Sequence, residues 1–429
     1  MIPAELIEKK RDGIELTPEE IDWFISSVID KKIDDSQTSA LLMSIYFQGM
    51  SNLETNALVK SMVESGKQFD FKHSEKYVAD KHSTGGIGDK ISFVLAPLLS
   101  SFNIIVPMIA GRGLAFTGGT IDKLESIKNY QTQKDFSSFN KQINEIGLGI
   151  ISQSPEICPA DKKLYSIRDL TGTIPSSPLI CSSIMSKKIA EGLNGLVMDI
   201  KVGNGAFMKR LSEAKNLATE LKKIGQSFNI NVDITYSNMS QPLGKYAGLK
   251  CEIIEAMNCL KGNGPDDVIK LSLDLCTSIL LQSGLSKDKS ESKNLLLRNI
   301  KNGKALKKFE EMIIAQNGDL SDIYSENNYG DNQMIIISKK NGYIESMNTE
   351  KIGWALVEMG CGRKVISDSL DYTAGIKFNH KVGDKINKGE PIYEIFGSNE
   401  KRLKNAKSML ADTFTISEKK VKKEKLIFE

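Results

Sequence analysis

The sequence predicts an α/β protein: a small helical domain, a larger α/β domain with a mainly parallel central sheet, and a C-terminal β-rich subdomain. Three observations carry this. Residues 1 to about 65 show helical periodicity and helix caps. From about residue 76, short apolar runs bounded by glycine ("IIVPMIAG", "GLVMDIKVG", "NINVDITYS") alternate with helical patterns, the texture of a parallel sheet. Beyond residue 333 the chain turns to short strands and glycine turns, as in "FNHKVGDKINKGEPIYEIFG".

Each element follows from local chemistry. In "LTPEEIDWFISSVID", Thr17 is set as N-cap, Pro18 takes the first helical position and Glu20 closes a capping box. Ile21, Phe24, Ile25 and Val28 then recur at helical spacing. "SNLETNALVKSMVESG" repeats the logic with Ser51 and Glu54, and Gly66 is its expected stop. Short connections make these helices a bundle. The apolar stretch 91–111 is broken by Pro97, Asn103 and Pro107, so it reads as a buried helix and then a buried strand, not a membrane span. Residues 161–190 are helical again and are expected to join the bundle. Polar "SDIYSENNYGDNQ" (321–333) is expected as a linker, giving domains at 1–66, 67–320 and 334–429.

Composition narrows the function. Hydrophobic residues make up 40% of the 429, enough for a sizeable core. Fifty-seven basic side chains against 54 acidic ones leave +3, too balanced for a nucleic-acid surface; the basic tail "SEKKVKKEK" reads as solvated. Six cysteines without a CxxC pair, and three histidines away from them, argue against a zinc site, so no metal is expected. Scattered cysteines and an N-terminus lacking an apolar signal region fit a cytoplasmic protein.

The segment "DKHSTGGIGDK" (80–90) places Lys81, His82 and Ser83 before Gly85, Gly86 and Gly88. Glycines let backbone N–H groups close on an oxyanion, and the helix that follows favours negative charge at its start. A second loop, "AGRGLAFTGGTIDKLES", offers Thr117, Gly118, Gly119 and Thr120. Neither loop is a P-loop, and Phe116 breaks the dinucleotide fingerprint. Either loop alone reads equally as a strand-to-helix turn. Two together, one bearing Lys-His-Ser, favour phosphate.

A third cluster lies in "DKKLYSIRDLTGTIPSSPLICSSIMSKKIAEG". Ser183 and Lys187, four apart, share a helix face, and Arg168 precedes a chain reversal containing Pro175 and Pro178. The three could hold a planar ligand with two carbonyl oxygens and an N–H between them. On spacing alone a solvated helix face is the plainer reading.

"DKHSTGGIGD", "GRGLAFTGGTIDKLES", "ADKKLYSIRD", "SSIMSKKIAEG", "VMDIKVGNGAF" and "MSQPLG" together resemble the thymidine and pyrimidine-nucleoside phosphorylases in order and spacing, across nearly the whole chain. Anthranilate phosphoribosyltransferases share the general fold but are not expected to combine "KHSTGG" with the Arg–Ser–Lys cluster. The resemblance implies reversible phosphorolysis of a pyrimidine nucleoside, with inorganic phosphate as co-substrate and no cofactor. It implies Lys81, Ser83, Ser92 and Thr120 for phosphate, and Arg168, Ser183 and Lys187 for the base, with Tyr165 nearby. Leu114, Ile180 and Phe207 would wall the base, and His82 would lie by its O2 and the sugar, with His82, Arg168 and Lys187 catalytic. A homodimer through the helical domain is also implied.

Departures qualify the match. Ala110 stands where the family has a phosphate-contacting serine, a loss on the order of 1 kcal/mol. Ala115-Phe116 replaces Gly-His; if that histidine orders the turn in the family, its partner must be rearranged here. Lys90 occupies the place of an uncharged residue beside a monovalent-cation site in Gram-positive members; its ammonium is expected to replace the ion, facing Glu255. Met108 suggests thymidine, with deoxyuridine, over uridine. The alternatives are a broad enzyme that also takes uridine and a homologue that binds without turnover.

Overall fold

The computed structural model describes residues 1–325, 329–365 and 368–429. Four helices open the chain: α1 (Pro3–Arg11), α2 (Pro18–Ile29), α3 (Asp35–Gln48) and α4 (Asn52–Glu64). Both expected capping boxes form, Thr17 with Glu20 and Ser51 with Glu54. Glu54 also binds the buried ammonium of Lys10 at 2.8 Å and so ties α4 to α1. Gly66 does not act as a left-handed stop. An added Cβ there would lie 2.6 Å from the Glu156 carbonyl oxygen, so close chain approach is what requires glycine.

The α/β part runs β1 (Ala79–Ser83), α5 (Ile91–Ser100), β2 (Val106–Ala110), α6 (Thr120–Leu124), α7 (Phe136–Ile146), β3 (Leu148–Ser152), α8 (Pro159–Thr171), α9 (Ser177–Ala190), β4 (Gly195–Val202), α10 (Leu211–Ser227) and β5 (Asn231–Asn238). Next come β6 (Tyr246–Gly248), α11 (Lys250–Leu260), α12 (Asp266–Gln282), α13 (Lys289–Lys301), α14 (Lys304–Ala315) and α15 (Leu320–Tyr324). β1, β4 and β5 pair in parallel, as do β2 and β3, and a parallel bridge between Val78 and Ile105 joins the two sets. α5 is buried along its whole length, as a helix wrapped by the core must be. Ala160, Leu164, Ile167 and Leu179 of α8 and α9 share the apolar core of the N-terminal bundle. The other end of α9, through Met185 and Ala190, packs with the sheet.

The C-terminal part comprises β7 (Asn332–Ile337), β8 (Gly342–Met347), α16 (Thr349–Met359), β9 (Gly375–Phe378), β10 (Lys385–Ile386), β11 (Pro391–Gly397), α17 (Glu400–Leu410), β12 (Phe414–Ser417) and β13 (Ile427–Phe428). Its two small sheets have orders β6-β9-β11-β7 and β10-β8-β12. β13 returns to the main sheet, antiparallel to β5. The ends of the expected 321–333 linker belong to α15 and β7, while residues 326–328 lie outside the described residues. Among the described residues no helix is long and apolar enough to cross a membrane.

Candidate active site

Strand parity organises the site. Successive side chains of β1 point to opposite faces, so Asp80 and His82 face one way and Lys81 and Ser83 the other. The contacts agree. Asp80 receives the Lys188 ammonium of α9 at 2.5 Å, whereas the Ser83 hydroxyl donates to Asp89 at 2.5 Å and Lys81 Nζ stands 3.5 Å from the same carboxylate. In register, Ser83 lies beside Asp199 of β4, whose carboxylate holds the buried Lys201 at 2.6 Å. Lys201 Nζ is in turn 3.9 Å from Asp89.

The first loop leaves β1 through Gly85 and Gly88, both at positive φ. A Cβ on Gly88 would come 2.2 Å from the Leu243 carbonyl oxygen, so that position admits only glycine. Gly88 delivers Lys90 to the base of α5, and Ser92 follows on its first turn. Lys90 is fully buried. Its ammonium donates to the carbonyls of Leu243 (3.1 Å) and Tyr246 (2.7 Å) and to Glu255 (2.7 Å). The Glu255 contact is the one expected from sequence.

The second loop leaves β2 at Ala110. The Arg112 guanidinium binds Asp122 and Glu125, and Asp122 also accepts from Gly113 N at 2.7 Å. Ala115 sits at φ +53°, left-handed backbone that a Cβ disfavours. Thr117 N and Oγ1 both donate to the Leu114 carbonyl, and Thr117 lies against Gly85, where the two loops meet. Thr120 begins α6. The Phe116 ring lies 5.7 Å from Phe207 and 6.1 Å from Trp354.

Arg168, Ser183 and Lys187 do not form a solvated face. Arg168 is 2% exposed and Ser183 7%. The guanidinium donates to the carbonyls of Leu179 (3.0 Å) and Ile174 (2.7 Å), folding the 173–179 reversal around itself; each terminal nitrogen keeps a second N–H. Tyr165, one turn earlier on α8, places its ring 5.8 Å from the Arg168 guanidinium carbon. Lys187 Nζ donates to Ser183 Oγ (3.0 Å) and pairs with Asp161 (2.6 Å). Ile180 and Leu114 are half-buried, and Phe207 is exposed beside Phe116. Met108 is 2% exposed and packed in the α/β core, not set out as a sugar contact.

Sequence reasoning missed Asp161, Asp89, Lys201 and the buried group Asp80–Lys188–Glu191. In that group Glu191 accepts from Lys188 (2.7 Å) and from Ile109 N (2.8 Å), so β1, β2 and α9 are fastened at one point. Asp199 and Lys201, two charges inside the apolar run "GLVMDIKVG", were the available signal.

Electrostatics follow from burial. Desolvation drives the His82 pKa well below the ordinary histidine value, and Lys188, Lys187 and Lys81 push it further, Asp89 opposing. The imidazole is therefore neutral near pH 7. Burial also lowers the Lys81 pKa, against the pull of Asp89 and Asp199. Burial would raise Asp89, but Lys201, Lys81 and the Ser83 hydrogen bond outweigh it and hold the carboxyl far below its usual range. Lys90 is raised: desolvation opposes its charge, and Glu255 and Glu252 more than compensate.

Residues 4–66 match the helical bundle domain of a glycosyl transferase family, and residues 75–306 match the α/β domain described for the same family. Fold and site thus define a glycosyl-transferring enzyme of bundle-plus-α/β architecture. Residues 343–417 match the pyrimidine nucleoside phosphorylase C-terminal domain. The chain is 42% identical over 417 residues to a pyrimidine-nucleoside phosphorylase of Staphylococcus epidermidis, covering 97% of this chain and 96% of that one. A Staphylococcus aureus enzyme of the same name is also 42% identical, over 416 residues and 96% of each chain. The chain belongs to the pyrimidine-nucleoside phosphorylase family and is a pentosyltransferase. An anthranilate phosphoribosyltransferase from Thermus thermophilus shares the fold, with a TM-score of 0.58 at 14% identity, over 73% of this chain and 99% of that one.

Proposed function

We propose that the chain catalyses reversible phosphorolysis of pyrimidine nucleosides, thymidine, deoxyuridine and uridine among them. A phosphate oxygen bonds to C1′ as the C1′–N1 bond breaks, and the electron pair leaves with the base. Lys81, Ser83, Ser92 and Thr120 hold phosphate. Arg168, Ser183 and Lys187 hold the base and stabilise its developing negative charge, with Tyr165, Leu114, Ile180 and Phe207 around it. Neutral His82 donates a hydrogen bond to the departing base, not a full proton. The observation that carries this reading is the parity of β1, which directs Lys81 and Ser83 to one face and His82 to the other.

Preference for thymidine rested on Met108, and the burial of that residue withdraws this support. The test is release of free base from each nucleoside, with and without inorganic phosphate. Phosphate-dependent release from all three is expected. No release from folded protein, or release indifferent to phosphate, overturns the reading, and release from the deoxynucleosides alone restricts it to thymidine phosphorolysis.

Two further parts belong to it. Lys90 takes the place of a bound monovalent cation: two carbonyl oxygens and a carboxylate surround its ammonium as they would an ion. The chain also forms a homodimer through the helical domain, for which exposed Tyr46, Phe47 and Leu170 on adjacent α3 and α8 supply apolar surface. Sedimentation at the monomer mass would remove the dimer.

A further inference from the structure

Helix α16 of the C-terminal part reaches three segments of the site. At Gly353 an added Cβ would lie 2.6 Å from the Phe116 carbonyl oxygen and 2.7 Å from Ile87 Cδ1, so this helix face rests on both glycine loops at once. One residue on, the Trp354 ring meets Phe116, and Phe116 also meets Phe207. The loop carrying Phe207 is itself fastened to the start of α16. Thr349 N donates to Asn204 Oδ1 at 2.7 Å, Asn204 Nδ2 donates to the Met347 carbonyl at 2.9 Å, and Lys209 pairs with Glu350 at 2.6 Å. Lys209 Nζ also lies 5.6 Å from the centre of the Phe116 ring.

Phe116 is 7% exposed, whereas Trp354 and Phe207 remain 42% and 40% exposed. The middle ring of the cluster is therefore buried while the outer two stay open. Phe116 is followed directly by Thr117, which packs on Gly85 of the first loop. A displacement of the Phe116 ring is thus passed to the point where the two loops meet. The only other tryptophan of the chain, Trp23, lies in α2 within the bundle, so Trp354 can be observed by itself.

We propose that Trp354 is a positioning residue for phosphate: with Phe116 and Phe207 it forms an aromatic latch through which α16 holds the second glycine loop in its binding geometry. Trp354 does not touch the reacting atoms. It acts through Phe116, whose tilted contacts with both outer rings anchor the loop. The inference rests on the phosphorolysis reading above.

The test has two arms that use the full chain. In the first, Trp354→Ala raises the KM for phosphate roughly five- to tenfold with kcat changed less, and Trp354→Phe, which keeps a ring, restores most of it. Adding Phe116→Ala to Trp354→Ala costs little more, because the rings act as a unit. In the second arm Trp23→Phe leaves Trp354 as the sole indole, and its emission shifts saturably as inorganic phosphate is added. This arm leaves all three rings of the latch unaltered. Unchanged phosphate KM in a folded Trp354→Ala protein, or Trp354 emission indifferent to phosphate that saturates turnover, overturns the latch. An unmodified chain that releases no base with phosphate present overturns the phosphorolysis reading instead, so the two failures are distinguishable.

Discussion

Lys187 donates to Asp161 across 2.6 Å, joining two helices, and Asp161 is 2% exposed. The pair aims the ammonium, because Lys187 spends one N–H on the carboxylate and one on Ser183 Oγ and keeps a third. On the proposed reading Asp161 thus orients the Lys187 ammonium that is to hold the base.

Asp161→Asn should therefore weaken the nucleoside side selectively. Loss of the charge partner is expected to raise the nucleoside KM or lower kcat by about tenfold, with the phosphate KM little changed. Steady-state kinetics with each substrate varied in turn measures the split. A rise in the phosphate KM alone would place Asp161 wrongly.

Acid stability should report on His82. The folded pKa lies well below the unfolded value of about 6.5, so between the two the unfolded chain binds a proton that the native site refuses. Stability is then fully present above about pH 6.5 and falls as pH drops below it, by at most about 1.4 kcal/mol per pH unit from this group. Melting curves of the native chain should fall more steeply than those of His82→Asn between about pH 6.5 and 5. Equal slopes would mean that His82 is not desolvated. Over about pH 6.5–8 no His82 titration should appear in kcat.

Potassium should be dispensable. Turnover in potassium and in choline buffers is expected to be the same for the native chain, and dependent on potassium for Lys90→Thr, where the three oxygens are left to a solvent ion. Lys90→Met strands Glu255 as a buried charge, and a loss of about 3–5 kcal/mol in denaturant unfolding is expected. A potassium requirement in the native chain would sink the idea.

Ala115 carries a strain that glycine would not. At φ +53° its Cβ is disfavoured by roughly 1–2 kcal/mol. Ala115→Gly gains back part of this, less the greater entropy of an unfolded glycine, so a rise in stability of up to about 1 kcal/mol is expected. Calorimetry reads it directly, and a fall in Tm would show that the left-handed turn is not under strain.

Local signals in the sequence were reliable where the chemistry was local. Thr17 with Glu20, Ser51 with Glu54, and the buried helix and strand within 91–111 all involve residues within a turn or two of each other, and each forms as expected. The two glycine loops were legible for the same reason, whereas spacing alone read Arg168, Ser183 and Lys187 as a solvated face and only the family resemblance drew them together. What stayed hidden depends on pairings made only by the tertiary fold. Trp354 meets Phe116, Arg363 meets Asp122, and Asp80 meets Lys188, with more than a hundred residues between the members of each pair. Lys90 with Glu255 is the exception, a distant pair reached through family resemblance and not through spacing. Gly66 failed differently. It was read by residue type, yet a neighbouring carbonyl decides it.

The alternation of β1 makes the site intolerant of a shift by one position. If β1 slid one residue along β4, His82 would exchange faces with Lys81 and Ser83, and the groups proposed for phosphate and for base would change places. A sheet covered on both faces opposes such a slip only weakly through its apolar pattern. Asn194 supplies the missing lock: its side-chain oxygen accepts Val78 N at 2.8 Å, and Gly195 N donates to the Val78 carbonyl at 3.1 Å. An asparagine outside the candidate site thereby fixes which way each side chain of β1 faces.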